Sequence, residues 1–159
     1  MKKNLMMALA MLALAATAHA GGKMSTVQQS VTALSKDGKV IVTVSLVNGS
    51  TKPVYVPKAV FEDDELFART FDVTDAASGA EVDYIGPMVK RAAYTKEDYL
   101  PVKPGEKRSN SIDITRSFDF KPGRSYKVAY SGVYLKDLAR LDTGTTASSA
   151  ASRFTFTGK

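Results

Sequence analysis

The chain has 159 residues, no cysteine and a single histidine, His19. Without a thiol, disulfide staples, cysteine nucleophiles, iron–sulfur ligation and ordinary structural zinc are excluded. The formal charge of +6 is spread along the chain, whereas a nucleic-acid partner calls for a clustered basic stripe with interleaved aromatics, so none is expected.

The N-terminus reads as a secretory signal. Lys2 and Lys3 give a positive start, Leu5 to Ala16 an apolar run, and Ala18-His19-Ala20 a small-x-small cleavage site. The run is too short to span a bilayer comfortably, no cysteine follows it to carry a lipid, and no second hydrophobic run follows to stop transfer. Residues 1–20 are therefore expected to be removed, leaving 21–159 as one domain in the periplasm or extracellular medium, with no membrane attachment. Cleavage would lower the charge from +6 to +4 and take away His19. A Ser-His-Asp triad and an HExxH zinc site then become impossible, and the expectation is a non-catalytic protein with no metal or cofactor.

From there period-two alternation dominates, as strands with one buried face require. Val27 to Leu34 is the first predicted strand. Lys39 to Val47 is the clearest, with Val40, Val42, Val44 and Leu46 on one face and Thr43 and Ser45 on the other. Asp37-Gly38 between them signals a hairpin turn, and Asn48-Gly49-Ser50 signals the next turn. Further strands are predicted at Pro53 to Phe61, Phe67 to Thr74, Glu81 to Ile85, Ser109 to Thr115, Ser125 to Tyr134 and Arg153 to Thr157. Pro53 and Pro57 place theirs at an edge or a bulge. Ala77-Ser78-Gly79, Lys103-Pro104-Gly105 and Lys121-Pro122-Gly123 supply turns. A short helical turn is predicted near 92–99, with Thr95 as N-cap. Thr143 to Ser152, almost wholly Thr, Ser, Ala and Gly, reads as a flexible loop. Seven or eight short strands with regular turns give an all-β, Ig-like two-sheet antiparallel sandwich.

Three features stand out within that rhythm. The acidic run Glu62-Asp63-Asp64-Glu65 reads as a solvated loop, with a weak calcium site or a carboxylate-only hydrolytic site as alternatives. Tyr126, just past the Pro122-Gly123 turn, reads as a structural corner tyrosine bonding the backbone across the turn. The stretch Asp83, Tyr84, Ile85, Gly86, Pro87, Met88, Val89, Lys90 and Arg91 ends a strand, breaks at Gly-Pro and finishes on two cations. It reads either as an inter-strand loop tucked under the sandwich or as an exposed recognition loop on a rigid scaffold. Gly86 and Gly105 lack any phosphate-cradling context.

The order Val42 to Asn48, Lys52 to Val56, Tyr84 to Arg91, Asp98-Tyr99-Leu100, Pro104-Gly105-Glu106 and Tyr126-Lys127-Val128 resembles the N-terminal propeptide domain of aspzincin metalloendopeptidases, the deuterolysin and peptidyl-Lys group. The Tyr-x-Gly-Pro-x-x-Lys-Arg string is the most specific part, and the resemblance runs over about Val27 to Tyr130. It implies a domain that keeps a zinc protease inactive or helps it fold. The sequence has no HExxH and stops where the protease would begin, so the implied role is a free-standing relative acting on a secreted metalloendopeptidase. Tyr84, Gly86, Pro87, Met88, Val89, Lys90 and Arg91 would face the protease, with Lys90 and Arg91 in its cleft. The competing expectation is a general binding or adhesion module using Tyr84, Tyr94 and Tyr99 as a contact surface.

Overall fold

Asp37 and Gly38 both adopt positive φ, 52° and 73°, the backbone of a two-residue hairpin turn whose twist matches the strands it joins. The turn connects β1 (Val27–Lys36) to β2 (Lys39–Asn48), paired antiparallel from Lys36 opposite Lys39 to Val27 opposite Asn48. The computed structural model describes residues 26–90 and 92–158. The signal-peptide reading of 1–20 and the expectation for Arg91 fall outside the described residues.

The remaining elements are β3 (Val54–Pro57), α1 (Lys58–Phe61), β4 (Asp72–Asp75), a 3₁₀ turn (Lys96–Asp98), β5 (Tyr99–Val102), β6 (Lys107–Asp113), β7 (Ser125–Ala129), β8 (Ser131–Tyr134), β9 (Thr145–Ser148) and β10 (Ser152–Thr155). One layer has the order β1-β2-β6. The other combines β10-β7-β4 with β3-β5 and β8-β9. Reciprocal N–H to carbonyl bonds of 2.9 Å between Tyr55 and Leu135 join β3 to the end of β8. The result is an all-β antiparallel sandwich.

Two of its longest strands are bent rather than ended. β7 and β10 pair with Val128 opposite Ser152, and β8 and β9 with Ser131 opposite Ser148, a register offset of one residue. Ala150 is the extra residue, so segments 125–134 and 145–155 form one bulged hairpin. At the bulge the Ser149 N–H donates to the Tyr130 carbonyl at 2.9 Å, and the Tyr130 N–H to the Ser149 hydroxyl at 3.1 Å.

The core lies between the layers. Val40, Val42, Val44 and Ile112 of one layer and Val56, Val73 and Val128 of the other are fully enclosed. Each such aliphatic side chain is stabilised by roughly 1.5–3 kcal/mol on burial. At one end Phe120 packs on Tyr126, Phe154 and Phe156 with ring centroids 5.0 to 5.7 Å apart.

Several sequence expectations need correction. The strand expected over Pro53 to Phe61 stops at Pro57, because the chain turns into α1 to bury Val60 and Phe61. The one over Phe67 to Thr74 begins only at Asp72, the residues before it being loop. Glu81 to Ile85 makes isolated bridges from Glu81 to Thr74 and from Tyr84 to Phe118 rather than a named strand. The segment expected as a loop over Thr143 to Ser152 carries β9, whose Thr and Ser residues pair with β8 while Ala147 packs against the core. Thr95 stands where expected at the start of the 3₁₀ turn, its N–H donating to the Asp98 carboxylate at 2.8 Å. Among the described residues no helix is long and apolar enough to cross a membrane.

Candidate binding loop

The alternation that begins where Glu81 and Val82 return alongside β4 sets the parity of the loop. Val82 is buried, Tyr84 half-buried and Ile85 faces outward. The segment is fastened on one side by the Asp119 N–H donating to the Asp83 carbonyl (3.1 Å) and the Ile85 N–H donating to the Ser117 carbonyl (2.9 Å). On the other side the Val89 N–H donates to the Phe67 carbonyl at 2.9 Å.

Tyr84 holds the span between these ties. Its ring packs edge-on against Phe118 with centroids 5.3 Å apart, and its hydroxyl donates to the Pro87 carbonyl at 2.7 Å. Burial pushes its phenol above the usual range. The ring lies over Gly86: a Cβ there would stand 2.7 Å from the tyrosine oxygen and 2.8 Å from the ring carbon bearing it. Glycine is thus required for close approach, not for an unusual φ.

What this frame displays is apolar. Ile85 is 62% exposed, Met88 78% and Val89 55%, with Phe67 at 37% and Tyr94 at 51% beside them. Phe67, Val89, Lys90, Ala93, Tyr94 and Asp98 line a groove of about 490 Å³. Single exposed apolar residues are ordinary, but a run of them on a fastened loop marks an interaction site. Tyr94 lies 6.1 Å from Tyr99, whose phenol is pushed up by burial and then by Tyr94 and Asp98.

The structure therefore divides the predicted site residues by role. Tyr84, Gly86 and Pro87 form the frame, while Met88, Val89 and Lys90 are exposed. Ile85, part of the stretch the sequence marks out, belongs to the same surface, and the inward parity of Val82 and Tyr84 places it outward; Phe67 belongs to it too and was not singled out in the sequence.

The other candidates sit elsewhere. In the acidic run Glu62, Asp64 and Glu65 are exposed between buried Phe61 and Leu66. The Asn110 amide donates to the carbonyls of Val60 (3.0 Å) and Asp63 (2.6 Å), clamping that turn. Among the described residues no three His, Cys, Asp or Glu side chains converge as metal ligands. Tyr126 is buried, and its hydroxyl accepts the Lys121 N–H at 2.7 Å across the turn.

No family model matches the chain, and comparison with curated proteins gives no significant match.

Proposed function

We propose that this is an exported, non-catalytic binding protein that uses the loop 84–91 to engage another protein, acting as a prodomain-like inhibitor or folding partner of a secreted aspzincin-type metalloprotease. The observation that carries this reading is the combination of fastening and exposure. Tyr84 and Gly86 fix the backbone from within, and Ile85, Met88 and Val89 are left with most of their apolar surface in water. A preformed loop loses little freedom on docking, which is how a small contact reaches useful affinity. Exposed apolar anchors next to the Tyr94 ring have the composition of an interface centre. Lys90 follows them directly and, in this reading, enters a lysine-preferring cleft. The absence of imidazole and thiol beyond His19 supports action by shape rather than by reaction.

The test is inhibition of a purified aspzincin-type protease by the processed chain, alongside M88D and K90A variants. Loss of inhibition in both variants is expected; full inhibition by both would discard the loop, and no effect of the wild-type chain on the protease would discard the partner class. The second reading, a general binding or adhesion module, draws on Phe67 and Tyr94, which extend the apolar surface beyond the 84–91 string. Capture of a surface or assembly protein that M88D abolishes, with the protease unaffected, would favour it.

A further inference from the structure

Among the described residues, the edges of the two layers are closed in different ways, and one is left open. Along β1, the Gln29 amide donates to the carbonyls of Ala147 (2.7 Å) and Tyr130 (3.3 Å), and the Ala33 N–H donates to the Ser152 hydroxyl (3.0 Å). These bonds tie β1 to β9 and β10. Next to β4 the Asp75 N–H donates to the Ala80 carbonyl and the Val82 N–H to the Val73 carbonyl. In β5 Pro101, in the centre of the strand, has no N–H to offer at the free edge.

β6 is held on its inner face, where the Asn110 amide clamps the turn at Val60 and Asp63, but its edge is not closed. It is seven residues long, contains neither proline nor glycine, and pairs with β2 alone. The Asn48 N–H donates to the Glu106 carbonyl and the Ile114 N–H to the Val40 carbonyl, each at 3.0 Å. These two bonds fix which groups face β2: the even-numbered residues of β6 point their N–H and C=O at β2, and Lys107, Ser109, Ser111 and Asp113 point theirs away. No backbone partner meets those outward groups among the described residues. Lys107, Ser109 and Ser111 are also exposed. An open, regular edge of this kind is a template for another strand.

We propose that β6 pairs antiparallel with β6 of a second copy of the chain about a two-fold axis through Asn110, making one continuous six-stranded sheet from the two three-stranded layers. The sequence of the strand, Lys-Arg-Ser-Asn-Ser-Ile-Asp, is self-complementary in that register. Lys107 of each copy meets Asp113 of the other, and Ser109 meets Ser111. All four contacts join outward-pointing residues, so every free N–H and C=O finds a partner. These side chains lie on the outer face, where the Ser45–Ser109 and Thr43–Ser111 hydroxyl pairs (2.6 and 2.8 Å) already form ladders that the dimer would carry across the axis. A slip of two residues breaks both Lys–Asp pairs, and a slip of one presents groups already spent on β2. This edge adjoins the loop 84–91 where Asp113 and Pro87 line one cavity, but Ser109 and Ser111 at its centre lie outside that cavity, so a readout there tests the dimer apart from the protease reading.

The test is sedimentation velocity of the processed, exported chain over a concentration series from about 1 to 500 μM, at low salt, where exposed charge pairs are least screened. A reversible monomer–dimer equilibrium is expected. K107D replaces two attractive cross-strand pairs by repulsive ones and should weaken the dimer roughly tenfold or more. D113K should do the same. An equimolar mixture of the two variants restores opposite charge at both pairs and should dimerise again as a heterodimer. Because the chain has no native cysteine, a mixture of S109C and S111C provides a second readout that does not disturb Asp113: the mixed disulfide should form faster than either homodimeric one. A chain that stays monomeric throughout, a dimer indifferent to K107D, or a cysteine mixture with no preference for the mixed disulfide would each overturn the proposal.

Discussion

Replacing Gly86 by alanine tests whether the loop is held as described. The added methyl would sit 2.7 Å from the Tyr84 oxygen and 2.8 Å from its ring carbon, well inside van der Waals contact, so the ring must leave. In leaving it forfeits the edge contact with Phe118, worth about 0.5–1.5 kcal/mol, and the hydrogen bond to the Pro87 carbonyl, worth about 1 kcal/mol net. G86A is therefore expected to cost about 1.5–2.5 kcal/mol. Y84F keeps the ring and loses only the hydroxyl, so it should cost about 1 kcal/mol. Urea unfolding separates the two: with a slope of roughly 1–3 kcal/mol per molar for a small domain, G86A should move the midpoint down by about 1 M and Y84F by about half that.

The same variants report on binding. With the frame loosened, Met88 and Val89 must be ordered on docking at roughly 0.5–1.5 kcal/mol each. Affinity for a partner that uses the loop should then fall by roughly 5- to 150-fold in G86A, mostly through faster dissociation. The reasoning is refuted if G86A unfolds at the wild-type urea concentration, since that would mean the Tyr84 ring is not seated over the glycine. It is also refuted if Y84F costs more than G86A.

Asn48 is fully buried, its amide donating to the carbonyls of Lys52 and Val102 and accepting from the N–H and hydroxyl of Ser50. N48A should cost about 3–5 kcal/mol in a denaturant melt, from lost bonds and an unpaired buried carbonyl. N48D should be least damaging in acid, because only a protonated carboxyl can donate where the amide did; equal cost at low and neutral pH would contradict this. Asp75 accepts from the Ser78 N–H and hydroxyl and the Ala77 N–H, and faces Arg124 at 3.0 Å. Bonding to Ser78 first, then Ala77 and Arg124, lowers its pKa against the opposing effect of burial. Its folded pKa lies below the unfolded one, so its contribution is complete above about pH 4 and disappears as pH falls through the lowered folded value. The wild type should therefore lose stability more steeply than D75N in melts below about pH 4; parallel curves would show that the carboxylate is not held by these bonds.

Where an element's geometry is settled by its own residues, it could be read from the sequence. β2 alternates in sequence, and the four residues assigned inward, Val40, Val42, Val44 and Leu46, are all buried; Ser45 on the other face and Asn48 at the end are buried too, through partners the strand alone does not show. Asp37-Gly38 and Thr95 announce their turns for equally local reasons. The misses concern segments whose structure depends on distant partners. β9, written in Thr, Ala and Ser, has no hydrophobic signature of its own. It exists because β8 offers a ladder and because Gln29, more than a hundred residues away in sequence, bonds the Ala147 carbonyl. The bulge at Ala150 is likewise a property of two strands and leaves no mark in either alone. In the candidate site the frame residues Tyr84, Gly86 and Pro87 stood out because glycine and proline are conspicuous. Phe67 did not, because only the Val89 N–H to Phe67 carbonyl bond brings it to the loop.

The way the loop is fastened separates what it shows from what holds it. Its ties to the sandwich run through backbone groups of Asp83, Ile85 and Val89 and through the single Tyr84 side chain, whereas the side chains of Ile85, Met88 and Val89 point into water and bury little against the core. Polar substitutions at those three positions should thus change stability by no more than about 0.5 kcal/mol while changing what the loop can recognise. Substitution at Tyr84 or Gly86 changes both. A surface built this way can alter its specificity without altering its fold, and this independence is the physical reason to seek the function in residues 84–91 rather than in the enclosed valines that make the sandwich stable.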